Sequence, residues 1–347
     1  MKIRILSFTS FVLALSLLAI SLYIGINFNS AHAQNLTCAE GACLMEISGR
    51  VLYGKNMDKK LPMASTTKVV TALTVIKNAN LNDIVSIPKE AVGIEGSSIY
   101  LKVGEKISVA DLLYGLMLQS GNDSATALAL YVSGSVEEFA KLMTKTAKSL
   151  GANNSNFVNP HGLHNDLHYT TAYDLAKITC EGLKNENFKK IVSSKSQKIG
   201  IEENSRLILN KNKLLKNYEF ANGVKTGFTK RAGRCFVGSA VKNGMQLIAV
   251  VLNCSPMFEE SKNMLCYGFE NYSLKTIISK DKVVGIKFFD KEPTYYYCPQ
   301  EFKYPLRNGE HVEIKKVVNL PSKKGESGNI SIYIAKQLIF SQKLSTI

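Results

Sequence analysis

The sequence predicts an α+β protein in which an antiparallel sheet takes its first and last strands from distant parts of the chain. A helical lobe is inserted between those strands, and a small β-rich domain follows. Three observations carry this. Strand-like runs open and close the region between about residues 44 and 252, helical spacing fills the stretch between them, and short β-rich runs broken by Gly, Pro and Lys follow Tyr272.

At the N-terminus, Lys2 and Arg4 precede an apolar stretch from Ile5 to about Phe28, and Ala31-His32-Ala33 fits a small-residue cleavage site before Gln34. This predicts an export signal over 1–33, with an uncleaved anchor as the alternative. Either way the remainder lies outside the membrane. Leu44 to Ile47 and Val51 to Tyr53 read as a hairpin around Ser48-Gly49-Arg50. Pro62 then signals a helix start, and Val69, Val70, Ala72, Leu73, Val75 and Ile76 make the helix beginning near Ser65 a buried one.

Helical spacing recurs at Val109 to Met117, Ala125 to Val132, Val136 to Leu150 and Thr171 to Leu183. Cys235 to Val241 and Met245 to Leu252 flank Lys242-Asn243-Gly244, a strong hairpin turn. Val283 to Phe289, Thr294 to Cys298, Val312 to Val318 and Ile330 to Phe340 read as strands of the small domain. The expected divisions are therefore 1–33, 34–272 and 273–347. Ile330 to Phe340 reads as one strand rather than an amphipathic anchor, so no C-terminal membrane helix is expected.

The 347 residues carry a formal net charge of +15, of which the export signal removes only Lys2 and Arg4. Such a basic exported chain is attracted to anionic membrane lipid or wall polymers. Nucleic acid is disfavoured, because the lysines are scattered among Glu and Asn with no basic-aromatic motif. Seven cysteines leave one unpaired in a monomer, and Cys38 with Cys43 is the nearest pair in sequence.

Three polar motifs occur in order: Ser65-Thr66-Thr67-Lys68, Ser120-Gly121-Asn122 and Lys225-Thr226-Gly227. Ser-x-x-Lys also occurs at Ser86, Ser239 and Ser279, but only Ser65 opens a buried helix that stacks its lysine one turn along the same face. Together the motifs supply a nucleophile with a nearby base, a hydroxyl with an amide, and a cationic strand edge, the equipment of serine acyl transfer.

Beyond these motifs stand Asn159-Pro160-His161-Gly162-Leu163, His168-Tyr169-Thr170-Thr171-Ala172 and Gly223-Val224-Lys225-Thr226-Gly227-Phe228-Thr229. With them, the chain resembles the serine D-alanyl-D-alanine carboxypeptidases, the low-molecular-mass penicillin-binding proteins, over nearly all of residues 38–272. The resemblance implies a β-lactamase/transpeptidase-like domain. It implies Ser65 as nucleophile, Lys68 as its base and Ser120 as proton relay. Asn122, Lys225, Thr226, Gly227, Phe228 and Thr229 would bind substrate, with the backbone N–H groups of Ser65 and Phe228 on the oxyanion. The substrate would be a peptidoglycan stem peptide, β-lactams would be covalent inhibitors, and no cofactor or metal is called for.

Two departures stand out. Phe228 follows Gly227 where many relatives have His. Some relatives place an Arg after the hairpin to bind the substrate carboxylate, whereas this chain reads Leu252-Asn253-Cys254-Ser255-Pro256 there. Carboxylate recognition is then expected from Thr226, Thr229 and Lys225. His161, His164 and His168 cluster in sequence, but without a zinc-protease pattern. A β-lactamase, with Glu181 and Asn185 at a deacylating spacing, a DD-endopeptidase and a catalytically silent wall-binding protein remain as alternatives.

Overall fold

The structure, a computed structural model, describes residues 36–346; the export signal and its cleavage site lie outside the described residues. The chain opens with β1 (Gly41–Glu46) and β2 (Val51–Lys55), then a 3-10 turn at Ala64–Thr67 and α1 (Lys68–Asn78). The inserted lobe contains β3 (Ile84–Ser86), β4 (Lys106–Ser108), α2 (Val109–Tyr114), α3 (Asn122–Ser133), α4 (Val136–Ser149), α5 (Ala172–Leu183) and α6 (Glu186–Ser193). After a hairpin of β5 (Ser196–Ile199) and β6 (Arg206–Leu209) and the short α7 (Leu214–Asn217) come β7 (Ala221–Thr229), β8 (Gly233–Lys242), β9 (Met245–Leu252) and α8 (Met257–Asn271).

The main sheet has the order β2-β1-β9-β8-β7, antiparallel throughout, so β1 pairs with β9 across most of the domain's sequence. This is the strand exchange the sequence predicts. Both faces are covered. Cys43, Met45, Ile248 and Val250 join the core beneath the helical lobe, while Leu44, Leu247, Ala249 and Val251 join Met264 and Leu265 of α8 on the other face. Successive side chains of a strand point to opposite faces, so burying both explains why every residue of β1 and β9 is buried.

The helix expected at Ser65 begins instead as the 3-10 turn and becomes α-helical only at Lys68. The helices expected at 125–132, 136–150 and 171–183 form at α3, α4 and α5. The one expected at 109–117 changes after Tyr114 into a π-helical turn, Gly115–Gln119. Cys38 does not pair with Cys43, which is buried in β1. The Cys38 sulfur lies 3.8 Å from that of Cys254, and all seven cysteines are thiols.

Beyond α8 the chain forms β10 (Tyr272–Ile278), β11 (Val283–Phe289), β12 (Glu292–Tyr297), β13 (Phe302–Arg307), β14 (Ile314–Asn319), β15 (Asn329–Ile334), β16 (Gln337–Lys343) and β17 (Ser345–Thr346). They enclose a core of their own, including Ile277, Tyr296, Phe302 and Ile332, with Phe302 and Phe340 stacked at 4.5 Å. The single strand expected over 330–340 is two strands, because Ala335 and Lys336 turn the chain with positive φ. Among the described residues no helix is long and apolar enough to cross a membrane.

Candidate active site

The turn carrying Ser65 is held by its neighbours' hydroxyls. Thr66 Oγ1 donates to Met63 O at 2.6 Å and Thr67 Oγ1 to Ala64 O at 2.8 Å, local side-chain bonds to the backbone three residues back that brace the turn. Ala64, Thr66 and Thr67 are buried, and Ser65 alone of the four is part-exposed. Lys68 Nζ lies 3.1 Å from Ser65 Oγ, and it donates to Asn122 Oδ1 and His161 O at 2.7 Å each. The first two motifs thus meet at one amine.

Lys68 is fully buried. Burial, then the cation of Lys225, holds its pKa well below the usual lysine range, against a smaller opposing pull from Asp123. Lys225 is also buried, and burial followed by the charge of Lys211 lowers its pKa to about 7. Its Nζ donates to Thr226 O at 3.0 Å. The third motif lies on β7, which runs against the Ser65 turn. A Cβ on Gly227 would stand 3.0 Å from the backbone nitrogens of Ser65 and Thr66, so glycine permits this approach.

Ser120 follows the π-helical turn with φ 64°, a left-handed conformation uncommon for a residue with a side chain, and its side chain reaches the cleft wall. Asn122 N donates to Ser97 O at 2.7 Å. The buried Asp123 carboxylate accepts from Ile99 N, Leu101 N and Ser124 N, which fixes the loop facing Ser120.

These elements bound a cleft of about 360 Å³ lined by Ser65, Ser97, Ser120, Lys211, Lys213, Thr226, Gly227, Phe228, Arg234, Met257 and Phe258. Of the expected residues, Ser65, Ser120, Thr226, Gly227 and Phe228 reach the cleft, with Lys68, Asn122 and Lys225 packed behind them. Thr229 does not reach it. Its hydroxyl accepts from Ala232 N at 3.0 Å and closes the β7–β8 turn. The sequence reading missed Ser97, Lys211, Lys213, Arg234, Met257 and Phe258, whose residue types bear no local signature. Asp123, by contrast, directly follows the Ser120-Gly121-Asn122 motif.

The histidines are otherwise engaged. His168 Nδ1 accepts from Val158 N at 3.1 Å and its Nε2 lies 2.8 Å from Thr67 Oγ1; burial lowers its pKa to about 4, so the ring is neutral. His161 Nδ1 accepts from Leu163 N at 3.2 Å, and burial, then the charge of Lys68, lowers its pKa to about 3. Glu181 pairs at 2.5 Å with Lys184, and Asn185 caps α6, so neither lines the cleft.

Residues 28–256 match the family model described as D-alanyl-D-alanine carboxypeptidase. The chain is 36% identical over 257 residues to D-alanyl-D-alanine carboxypeptidase DacF of Bacillus subtilis, covering 71% of this chain and 66% of that one. To DacC of Escherichia coli it is 36% identical over 255 residues, covering 67% and 62%. The chain thus spans slightly less than two thirds of the length of these relatives. The solved structure of penicillin binding protein 5 from Haemophilus influenzae superposes with a TM-score of 0.73 at 29% identity, over 90% of this chain and 97% of that one. Family model, curated relatives and solved fold agree, and the chain belongs to the D-alanyl-D-alanine carboxypeptidase family of serine peptidases.

Proposed function

We propose that this chain removes the terminal D-Ala from peptidoglycan pentapeptide stems through an acyl-enzyme on Ser65, outside the cell membrane, and that penicillin acylates the same serine. The observation that carries the reading is the set of partners around Lys68 Nζ. A neutral amine has two N–H donors and one lone pair. Asn122 Oδ1 and His161 O are acceptors and take the two donors, which leaves the lone pair for the Ser65 hydroxyl proton.

Lys68 takes that proton as Ser65 Oγ attacks the carbonyl of the penultimate D-Ala. The oxyanion is held by the backbone N–H groups of Ser65 and Phe228, each such donor typically contributing about 3 kcal/mol. Collapse breaks the peptide C–N bond. Ser120 passes a proton to the departing amine and is resupplied from the Lys68–Lys225 side. Water then attacks the ester and frees Ser65. Asn122 Oδ1 holds Lys68 in place, and the Asn122 Nδ2 bond to Glu95 O fixes the amide for that contact.

Mass spectrometry of residues 34–347 incubated with a D-Ala-D-Ala pentapeptide, with and without penicillin, tests this. Release of one D-Ala, abolished by a covalent adduct on Ser65, is the expected result. An adduct without D-Ala release would shift the reading to cross-linked substrates, rapid penicillin turnover to a β-lactamase, and no adduct to a binding protein.

A further inference from the structure

A carboxypeptidase must recognise a C-terminal carboxylate, and the residues expected to do so fall short of it. The segment 252–256 holds no cation. Lys225 is 1% exposed and spends a donor on Thr226 O, while the Thr229 hydroxyl closes a turn. Thr226 remains, and a neutral hydroxyl alone is a weak match for an anion.

The missing cation stands on the next strand. Arg234 pairs with Phe228 in the β7–β8 register, and its carbonyl accepts from Cys254 N at 2.8 Å, so β8 brings it alongside the arginine-free segment. Its side chain lines the cleft with Ser65, Thr226 and Phe258. Among the described residues its guanidinium makes no hydrogen bond or ion pair. Its one partner is the Phe228 ring, 5.5 Å from Cζ. Phe228 is 60% exposed, so the ring steadies the guanidinium plane without enclosing it. Five N–H donors in a planar fork are left for a ligand of matching geometry. Lys211 is a poorer candidate because burial lowers its pKa and its Nζ donates to Ser97 Oγ at 3.2 Å. Lys213 offers an ammonium without the fork.

We propose that Arg234, set by Phe228, binds the C-terminal carboxylate of the substrate together with Thr226, in place of the arginine that some relatives carry after the hairpin. The assignment deepens the carboxypeptidase reading and rests on it for the identity of the ligand. It also gives Phe228 a side-chain function.

The test compares an acylated D-Ala-D-Ala peptide with its C-terminal carboxamide, in the wild type, Arg234→Gln and Arg234→Lys. In parallel, acylation by penicillin is compared with acylation by its methyl ester. The wild type is expected to prefer the free acid in both pairs. Arg234→Gln should lose about 10- to 100-fold in kcat/KM on the acids, chiefly through KM, and little on the amide and ester, so that the preference collapses. Arg234→Lys should restore part of it. A preference that survives in Arg234→Gln, or an equal loss on acid and neutral ligands, overturns the proposal. Should the wild type release no D-Ala, the carboxypeptidase reading fails, while the penicillin and methyl ester ratio still decides for or against Arg234.

Discussion

Two buried lysines face one another's influence here without an ion-pair partner among the described residues, and their protonation follows from that. Each has a folded pKa below 10.5, Lys225 at about 7, so the folded protein binds fewer protons than the unfolded chain across that window. Stability should therefore rise with pH from about 7 towards 10.5 on account of Lys225, and the cost of its burial is greatest at lower pH, where the unfolded chain is protonated. For catalysis the sign is the same, because only neutral Lys68 accepts the Ser65 proton. Burial is the larger cause of the Lys68 shift and the Lys225 cation the next. Lys225→Gln should thus raise the Lys68 pKa and move the acid limb of penicillin acylation to higher pH. Acylation rates followed against pH decide this, and an unmoved or acid-shifted limb would remove Lys225 from the tuning of Lys68. At this scale Ser65 and Lys68 were legible because helical spacing alone brings them together. Lys211 and Arg234 were not, since a cation's relation to the cleft depends on strand pairing and loop packing that no local pattern encodes.

Among the elements, the Asn159–Leu163 turn shows how a segment remote in sequence sets the nucleophile. Asn159 Oδ1 accepts from Gly162 N at 2.7 Å, and its Nδ2 donates to Leu163 O at 2.9 Å, which fixes the turn and presents His161 O to Lys68. Gly162 adopts φ +90°, and a Cβ there would stand 2.0 Å from Ala64 O, in the turn that carries Ser65. Gly162→Ala therefore meets both a strained backbone and an overlap with backbone atoms that cannot move alone. It should cost about 1–3 kcal/mol of stability and slow penicillin acylation more than 10-fold, the latter by displacing Ser65 from Lys68. Stability lost with acylation intact would show that the Ser65 turn is held independently of Gly162. The main sheet was readable from its strand-like apolar runs and from Asn243-Gly244, which supply the hairpin turn directly. The β15–β16 hairpin was not, because Ala335 and Lys336 take positive φ without a Gly or Asn to announce it. Helix α8 escaped as well, its buried face being built from Met257, Ser261, Met264, Leu265 and Gly268 rather than a strong aliphatic stripe.

Across the whole molecule, the β-rich segment is tied to the sheet through Arg50. Its Nη2 donates to Glu310 Oε1 and Oε2 at 2.6 and 2.8 Å, its Nη1 donates to Pro305 O, and its guanidinium lies over the rings of Tyr272 and Tyr304 at 5.7 and 5.1 Å. Burial works against the Glu310 carboxylate, yet the Arg50 hydrogen bonds and charge hold its pKa below the ordinary range. Tyr272 OH adds a bond to Leu52 O at 3.1 Å, so both contacts reach the β1–β2 hairpin at the sheet edge away from β7 and the cleft. If residues 34–272 and 273–347 are separate folding units, Arg50→Ala should loosen the second without disturbing the first. Removing a bidentate, partly buried pair is expected to cost about 2 kcal/mol, enough for roughly a 30-fold rise in local opening. Limited proteolysis should then cut faster after residue 272, while penicillin acylation of Ser65 keeps its wild-type rate. A parallel loss of acylation would mean that the two parts open together, with the Arg50 contact supporting the catalytic sheet itself.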